Sequence, residues 1–329
     1  MIKYFRSKEK TPTQQIEAFE KGCWIDLVNP TDDEVEDVSA LTGIPDEMLK
    51  AALDEEETAR FERDEGNMLV LLDTPIITDS DDGDSYETIP LALITNEKCI
   101  VTVSLRGNPV LGDFIASRID IDTGDNTTFL LRFLMGNAKR FLFNLRQIDK
   151  KSLRVQAELH RSMKNKELIQ LLALENSLVY FSTSLSANLG VYNKLERLPS
   201  VANVEDNKDL YDDIVIETRQ AVEMCNIYRD ILSGTMDAYA SVISNNLNIV
   251  MKLLTVITMI ISVPTLIASL WGMNVEVPLQ NVGWWGFWVV IGVCVLITGV
   301  VSFFLIRASS SVHIGKARQT QNRRKHRRD

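Results

Sequence analysis

Residues 253–274 read LLTVITMIISVPTLIASLWGMN. The first 19 of them, Leu253–Trp271, carry no charge, and Gly283–Ile306 (GWWGFWVVIGVCVLITGVVSFFLI) adds a second uncharged run of 24. About 20 apolar residues in a helix cross the hydrocarbon core of a bilayer, so both runs have the length and composition of membrane spans. Two buried core helices are the competing reading, and the flanks argue against it. Trp284, Trp285 and Trp288 cluster at the start of the second run, as in an interfacial aromatic belt. The link between the runs has one acid, Glu276, and no Lys or Arg, whereas residues 307–329 hold eight Lys/Arg against one Asp. Cationic flanks stay on the cytoplasmic side, so the tail is expected inside, the 275–282 link outside, and the N-terminal body inside as well.

Upstream of the first run the chain is almost free of helix breakers. From Glu205 to Trp271 the only proline is Pro264 and the only glycine is Gly234. This predicts one rod of roughly 100 Å at 1.5 Å per residue, a stalk over 205–252 continuous with the first span over 253–274. Counting back from Ser269 at helical spacing gives Thr265, Ser262, Thr258, Leu254, Met251, Asn248, Ser244, Ser241 and Asp237. The mean step is about 3.6 residues, so these positions share one face. Eight are polar and none is Lys or Arg; Lys252 falls off the seam, at the inner interface. Small hydroxyl residues also pack helices together in lipid, which is the plainer reading of any one of them. As an aligned set they suit a water-filled cation path. Two spans cannot enclose such a path, so the seam is expected to face copies of itself about a symmetry axis.

The rest of the chain reads as a cytoplasmic body. Residues 1–125 alternate strand-like runs (GCWIDL, NMLVLLDTPIIT, YETIPLALIT, KCIVTVSL) with short helical segments, the signature of an α/β domain. Thr31 and Glu34 form a capping-box pattern ahead of a short helix that Gly43 ends, and IPDEMLKAALDEEE predicts a second. DSDDGDS reads as a hairpin loop. Residues 126–204 have apolar spacing of 3–4 and predict a helical hairpin, its second arm stopping before Pro199. The net charge is −10, while 307–329 alone carry +7, so the body is strongly acidic and unsuited to nucleic acid. The tail alone could meet anionic lipid or nucleic acid, and membrane orientation is its simpler role. Cys23, Cys99, Cys225 and Cys294 and the three histidines are too scattered for a disulfide framework or a zinc site. No secretory signal is legible at the N-terminus, and no GxxxxGK[ST] phosphate loop occurs. A membrane-anchored enzyme would need a nucleophile–base pair or ligand cluster, and none stands out.

Gly272-Met273-Asn274 at the end of the first run, the two-span C-terminus, the long rod and the stretch WIDLVNPTDDEVEDVSALTGIPDEMLKAALDEEETARFE together resemble the CorA family of magnesium transporters, over nearly the whole chain. The resemblance implies a funnel-shaped cyclic homopentamer. Each subunit would bring an α/β cytoplasmic domain, a long stalk helix continuous with a pore-lining first transmembrane helix, and a peripheral second one. It implies a selectivity site at Gly272, Met273 and Asn274, with the Asn274 amides holding a hydrated divalent cation at the outer mouth. Asn248, Met251 and Leu254 would form the inner constrictions. Mg²⁺ would be both cargo and regulatory ion, with no separate cofactor, and influx would be driven by membrane potential. Acidic residues bridged by internal Mg²⁺ would hold the pore closed, and Asp213 is the expected ligand. Many relatives carry a more acidic external loop, and here Glu276 is its one acid. The triplet does not choose among Mg²⁺, Co²⁺, Ni²⁺ and Zn²⁺, since a zinc-transporting branch shares the architecture. A structural tether of coiled coil and two spans is the remaining alternative.

Overall fold

The computed structural model describes residues 1–78, 85–162, 165–274 and 283–325. It divides into two compact units, Met1–Met236 and Asp237–Asp329. The expected loop at 79–84 and the link residue Glu276 lie outside the described residues.

The first unit is built on one seven-stranded sheet. Its strands are β1 (Ile2–Arg6), β2 (Gln14–Ile16), β3 (Cys23–Val28), β4 (Arg60–Asp64), β5 (Asn67–Thr78), β6 (Ser85–Thr95) and β7 (Cys99–Ser104). Their spatial order is β2-β1-β3-β7-β6-β5-β4. Among the described residues only β3 and β7 pair in parallel. These two lie in the interior of the sheet and are covered on both faces, which is why CWIDLV and CIVTVS are near-continuous apolar runs. The period-2 pleat sorts β3 between two cores: Cys23, Ile25 and Leu27 face one layer and Trp24 the other.

Helices α1 (Asp32–Thr42) and α2 (Asp46–Lys50) cover the first face through Val35, Val38, Met48 and Leu49. The α1 cap is the reciprocal box expected: the Glu34 N–H donates to Thr31 Oγ1 at 3.3 Å and the Thr31 N–H to Glu34 Oε2 at 3.0 Å. Gly43 ends the helix at φ +79°, where a side chain would be strained. After α2 a single 3-10 turn, Ala51–Leu53, replaces the remainder of the expected second helix. The other face is covered by α3 (Pro109–Ile115), α4 (Asn126–Ser162) and α5 (Asn165–Leu195). Trp24 anchors it, fully buried and 4.9 Å from Phe5 and 5.4 Å from Phe129, ring centre to centre.

A one-turn helix, α6 (Pro199–Ala202), leads into α7 (Glu205–Trp271), 67 residues without interruption. Tyr211, Ile214, Thr218, Ala221, Cys225 and Leu232 are its buried residues, alternating steps of three and four before a last heptad step. That narrow stripe seats the lower part of α7 on the first unit.

In the second unit α7 continues from Asp237, and α8 runs Trp284–Lys325. The helix therefore does not stop at Ile306, where the apolar run ends, but carries on through most of the basic tail. The apolar windows of both helices contain no buried residue, unlike the core helices of the first unit, and both are long and apolar enough to cross a membrane. Pro264 sits inside α7 and brings no N–H to the ladder.

Candidate ion path along the first span

Helix α7 has two unlike sides in its upper part. Val256, Ile260, Val263, Pro264, Ile267 and Trp271 form a half-covered row. At about 100° per residue this row lies opposite the seam of Leu254, Thr258, Ser262, Thr265 and Ser269. On α8 a matching half-covered row runs Val290, Cys294, Thr298, Ser302 and Leu305. Rows of this kind are what two helices packed side by side produce. The seam side is left open. Asp237, Ser241, Ser244, Asn248, Met251, Leu254, Thr258, Ser262, Thr265 and Ser269 are all exposed, so every predicted seam residue lies on the uncovered surface. A shallow groove of about 440 Å³ runs along it, lined by Thr258, Ile261, Ser262, Thr265, Leu266 and Ser269.

Three hydroxyls on this face, those of Thr258, Ser262 and Thr265, share one orientation. Thr258 Oγ1 donates to Leu254 O at 2.8 Å, Ser262 Oγ to Thr258 O at 2.8 Å, and Thr265 Oγ1 to Ile261 O at 2.9 Å. Each proton is committed to the carbonyl one turn back, a common solution for hydroxyls in apolar helices. What remains for the groove is the oxygen lone pair. The surface thus accepts hydrogen bonds and does not donate them from these groups, which suits the water shell of a cation. This orientation, and the flanking Ile261 and Leu266, could not be read from the seam pattern. Their only sequence signal is their position three or four residues from Thr265, Ser262 and Ser269.

The helix that carries the seam ends before Gly272. The Gly272 N–H closes a last helical bond to Ala268 O at 2.9 Å. A Cβ at this position would stand 3.2 Å from that same carbonyl, tighter than ordinary contact, so glycine suits the turn. Met273 and Asn274 follow outside the helix, both exposed, Met273 at 54 %. Asn274 therefore carries its amide just past the end of the seam.

Asp213 lies far down α7 in the first unit. It is exposed, next to buried Ile214, so its carboxylate points away from the core. Among the described residues no three His, Cys, Asp or Glu side chains of one chain come together as a metal site.

The profile of a family described as CorA-like Mg²⁺ transporter protein matches residues 19–307. The cobalt/magnesium transport protein CorA of Methanocaldococcus jannaschii is 28 % identical over 297 residues, 87 % of this chain and 90 % of that one. The CorA of Thermotoga maritima, described in the same words, is 38 % identical over a shorter stretch, 100 residues, 30 % of this chain and 26 % of that one. Among solved structures, the complete M. jannaschii CorA magnesium transporter superposes with a TM-score of 0.78 at 26 % identity, covering 92 % of this chain and 96 % of that one. A family match over most of the length, and a common fold from the sheet through both apolar helices, make this chain a member of the CorA-like Mg²⁺ transporter family, a divalent cation transporter and not an enzyme.

Proposed function

We propose that the chain assembles as a homopentamer in the plasma membrane, both termini in the cytoplasm, and admits Mg²⁺ down the membrane potential, with Co²⁺ and Ni²⁺ as further cargo. The observation that carries this is the uncovered α7 seam, where the Thr258, Ser262 and Thr265 hydroxyl protons are turned inward and beyond which Asn274 lies. Five such seams around an axis would give a lining of neutral oxygen acceptors. Mg²⁺ releases its water reluctantly and prefers oxygen, so amides and hydroxyls that bind the water shell can hold the ion and let it move on. Met251 and Leu254, exposed on the same face, would narrow the inner end. A doubly charged ion gains about 4.6 kcal/mol per 100 mV of inside-negative potential, so no nucleotide is needed. Internal Mg²⁺, bridging Asp213 to a neighbouring subunit, would hold the pore closed.

The test is uptake of Mg²⁺, Co²⁺, Ni²⁺ and Zn²⁺ into liposomes carrying the full chain or Asn274→Ala. Potential-driven Mg²⁺ flux that falls at least tenfold in the variant is expected. Flux indifferent to Asn274, or none, would favour the tether. In the same assay Asp213→Ala should remain open at internal Mg²⁺ that closes the wild type, and unchanged inhibition would remove Asp213 from the gate.

A further inference from the structure

Helix α4 buries one side, through Phe141, Leu145, Ile148 and Val155, and turns the other outward. Its outward side carries Lys139, Arg146, Lys150, Arg154 and Arg161, all exposed. The steps between them are one or two helical turns, so the five cations form one stripe about 33 Å long. From Lys139 to Arg161 seven Lys/Arg stand against two acids, Asp149 and Glu158, in a chain whose net charge is −10. Among the described residues none of the five stripe side chains is in an ion pair. A solvated helix face ordinarily interleaves both signs. Here Arg146, Lys150 and Arg154 repel one another at i, i+4 spacing, which weakens a helix unless anions lie against it.

Two apolar side chains interrupt the stripe. Phe143 is 47 % exposed and Leu153 57 %. The Arg140 guanidinium lies over the Phe143 ring, 5.4 Å from its centre, and holds the ring against the helix. We infer that the stripe is a docking face for an acidic amphipathic helix of a partner protein, with carboxylates at helical spacing and apolar residues between them. A straight row of cations roughly 6 Å apart faces such carboxylates when a second helix lies alongside, as flanking charges do in coiled coils. Phe143 and Leu153, about 15 Å apart along the axis, are the apolar anchors. A compact polyphosphate would cover two or three of the cations and leave both anchors in water. A bilayer surface takes up a broad apolar face, and two side chains do not make one.

The full-length protein in phosphatidylcholine nanodiscs tests this with a fluorescein-labelled helical peptide of about 22 residues, Glu at i, i+4 spacing on one face and two Leu in register with the anchors. The wild type is expected to bind it at least tenfold tighter than Lys150→Glu does, and at least tenfold tighter than it binds the same peptide with Gln for Glu. Lys150→Glu replaces repulsion by attraction between positions 146, 150 and 154, so its thermal midpoint should not fall, which separates lost docking from lost folding. Lys8→Glu, an exposed charge reversal on the link between β1 and β2, should bind like the wild type. Phe143→Ser should weaken the Leu-bearing peptide at least threefold and leave an all-Glu peptide unchanged. Binding indifferent to Lys150, or equal for the Gln peptide, overturns the inference, and so does equal weakening of both peptides by Phe143→Ser. Phosphatidylserine vesicles or inorganic tripolyphosphate bound through Lys150 more tightly than the peptide would replace the partner helix by a phosphate ligand. Association between wild-type particles that Lys150→Glu abolishes, without peptide binding, would replace it by a second copy of this chain.

Discussion

Gly136 and Gly190 sit in the interiors of α4 and α5, and the same substitution at each should change stability in opposite directions. Helix propensity alone favours Gly→Ala by about 1 kcal/mol. At Gly190 a Cβ meets nothing within 4 Å, so Gly190→Ala should stabilise by about that amount. At Gly136 the Cβ would stand 2.5 Å from Val110 Cγ1. Val110 is 4 % exposed on α3, short and β-branched, so it cannot swing aside. It must retreat by about 1 Å to reach ordinary carbon contact, and overpacking of that kind costs roughly 1–3 kcal/mol. The net expectation for Gly136→Ala is a loss of about 1 kcal/mol. Urea unfolding of the full chain in detergent can read it from Trp24, the only tryptophan before residue 271. With a slope near 2 kcal/mol/M the midpoint should fall by roughly 0.5 M, against a rise of similar size for Gly190→Ala. Adding Val110→Ala to Gly136→Ala should recover part of the loss. Equal stabilisation at both glycines would refute the close packing of α3 on α4.

Three further outcomes follow from local geometry. Burial pushes the carboxyl of Asp26 up, partly offset by the Thr102 hydroxyl donating to it at 2.8 Å. A raised folded pKa means no penalty below the unfolded value and a growing one as pH rises through the folded value, so Asp26→Asn should stabilise at pH 7 and the gain should shrink toward pH 4; a gain independent of pH would contradict the burial argument. Thr31→Ala removes one half of the α1 capping box and should cost about 1 kcal/mol in the same unfolding assay. Thr258→Val keeps the shape and loses the acceptor facing the groove; ion flux should fall severalfold while the thermal midpoint stays within 2 °C or so of the parent, because the Leu254 carbonyl keeps its helix.

The membrane helices were legible because their signal is long and one-dimensional: 19 and 24 residues without a charge, and a rod with a single internal proline. The α1 cap was legible because both partners lie within four residues. The interior strands were legible because burial on both faces makes them apolar runs. What escaped is short or charged. Strands β1 and β4 (IKYFR and RFERD) carry charges on their exposed sides, and β2 is only three residues, so none shows an apolar pattern. Helix α3 is seven residues, capped by Asn108, too short for periodicity to appear. Face sharing along the seam followed from spacing, whereas the direction of its hydroxyl protons needed the backbone. Asn137 and Asn188, buried amides whose Nδ2 groups both donate to the Asp73 carbonyl, were unreadable for a simpler reason: that carbonyl is 64 and 115 residues away in the chain.

Pro264 gives α7 a mechanical asymmetry. Every residue of a regular helix ties its turn to the one before, but here the Ile260 carbonyl lacks the N–H that would normally come from position 264. Bending stiffness is therefore lowest at that level, two to three turns below Asn274. Ten residues at 1.5 Å make a lever of about 15 Å, so a tilt of 10° at the proline would carry Asn274 sideways by about 2.6 Å. That is close to the width of one water molecule. In the proposed pentamer such a tilt would tighten or relax the ring of Asn274 amides by about a hydration layer while the long helix beneath it stays straight.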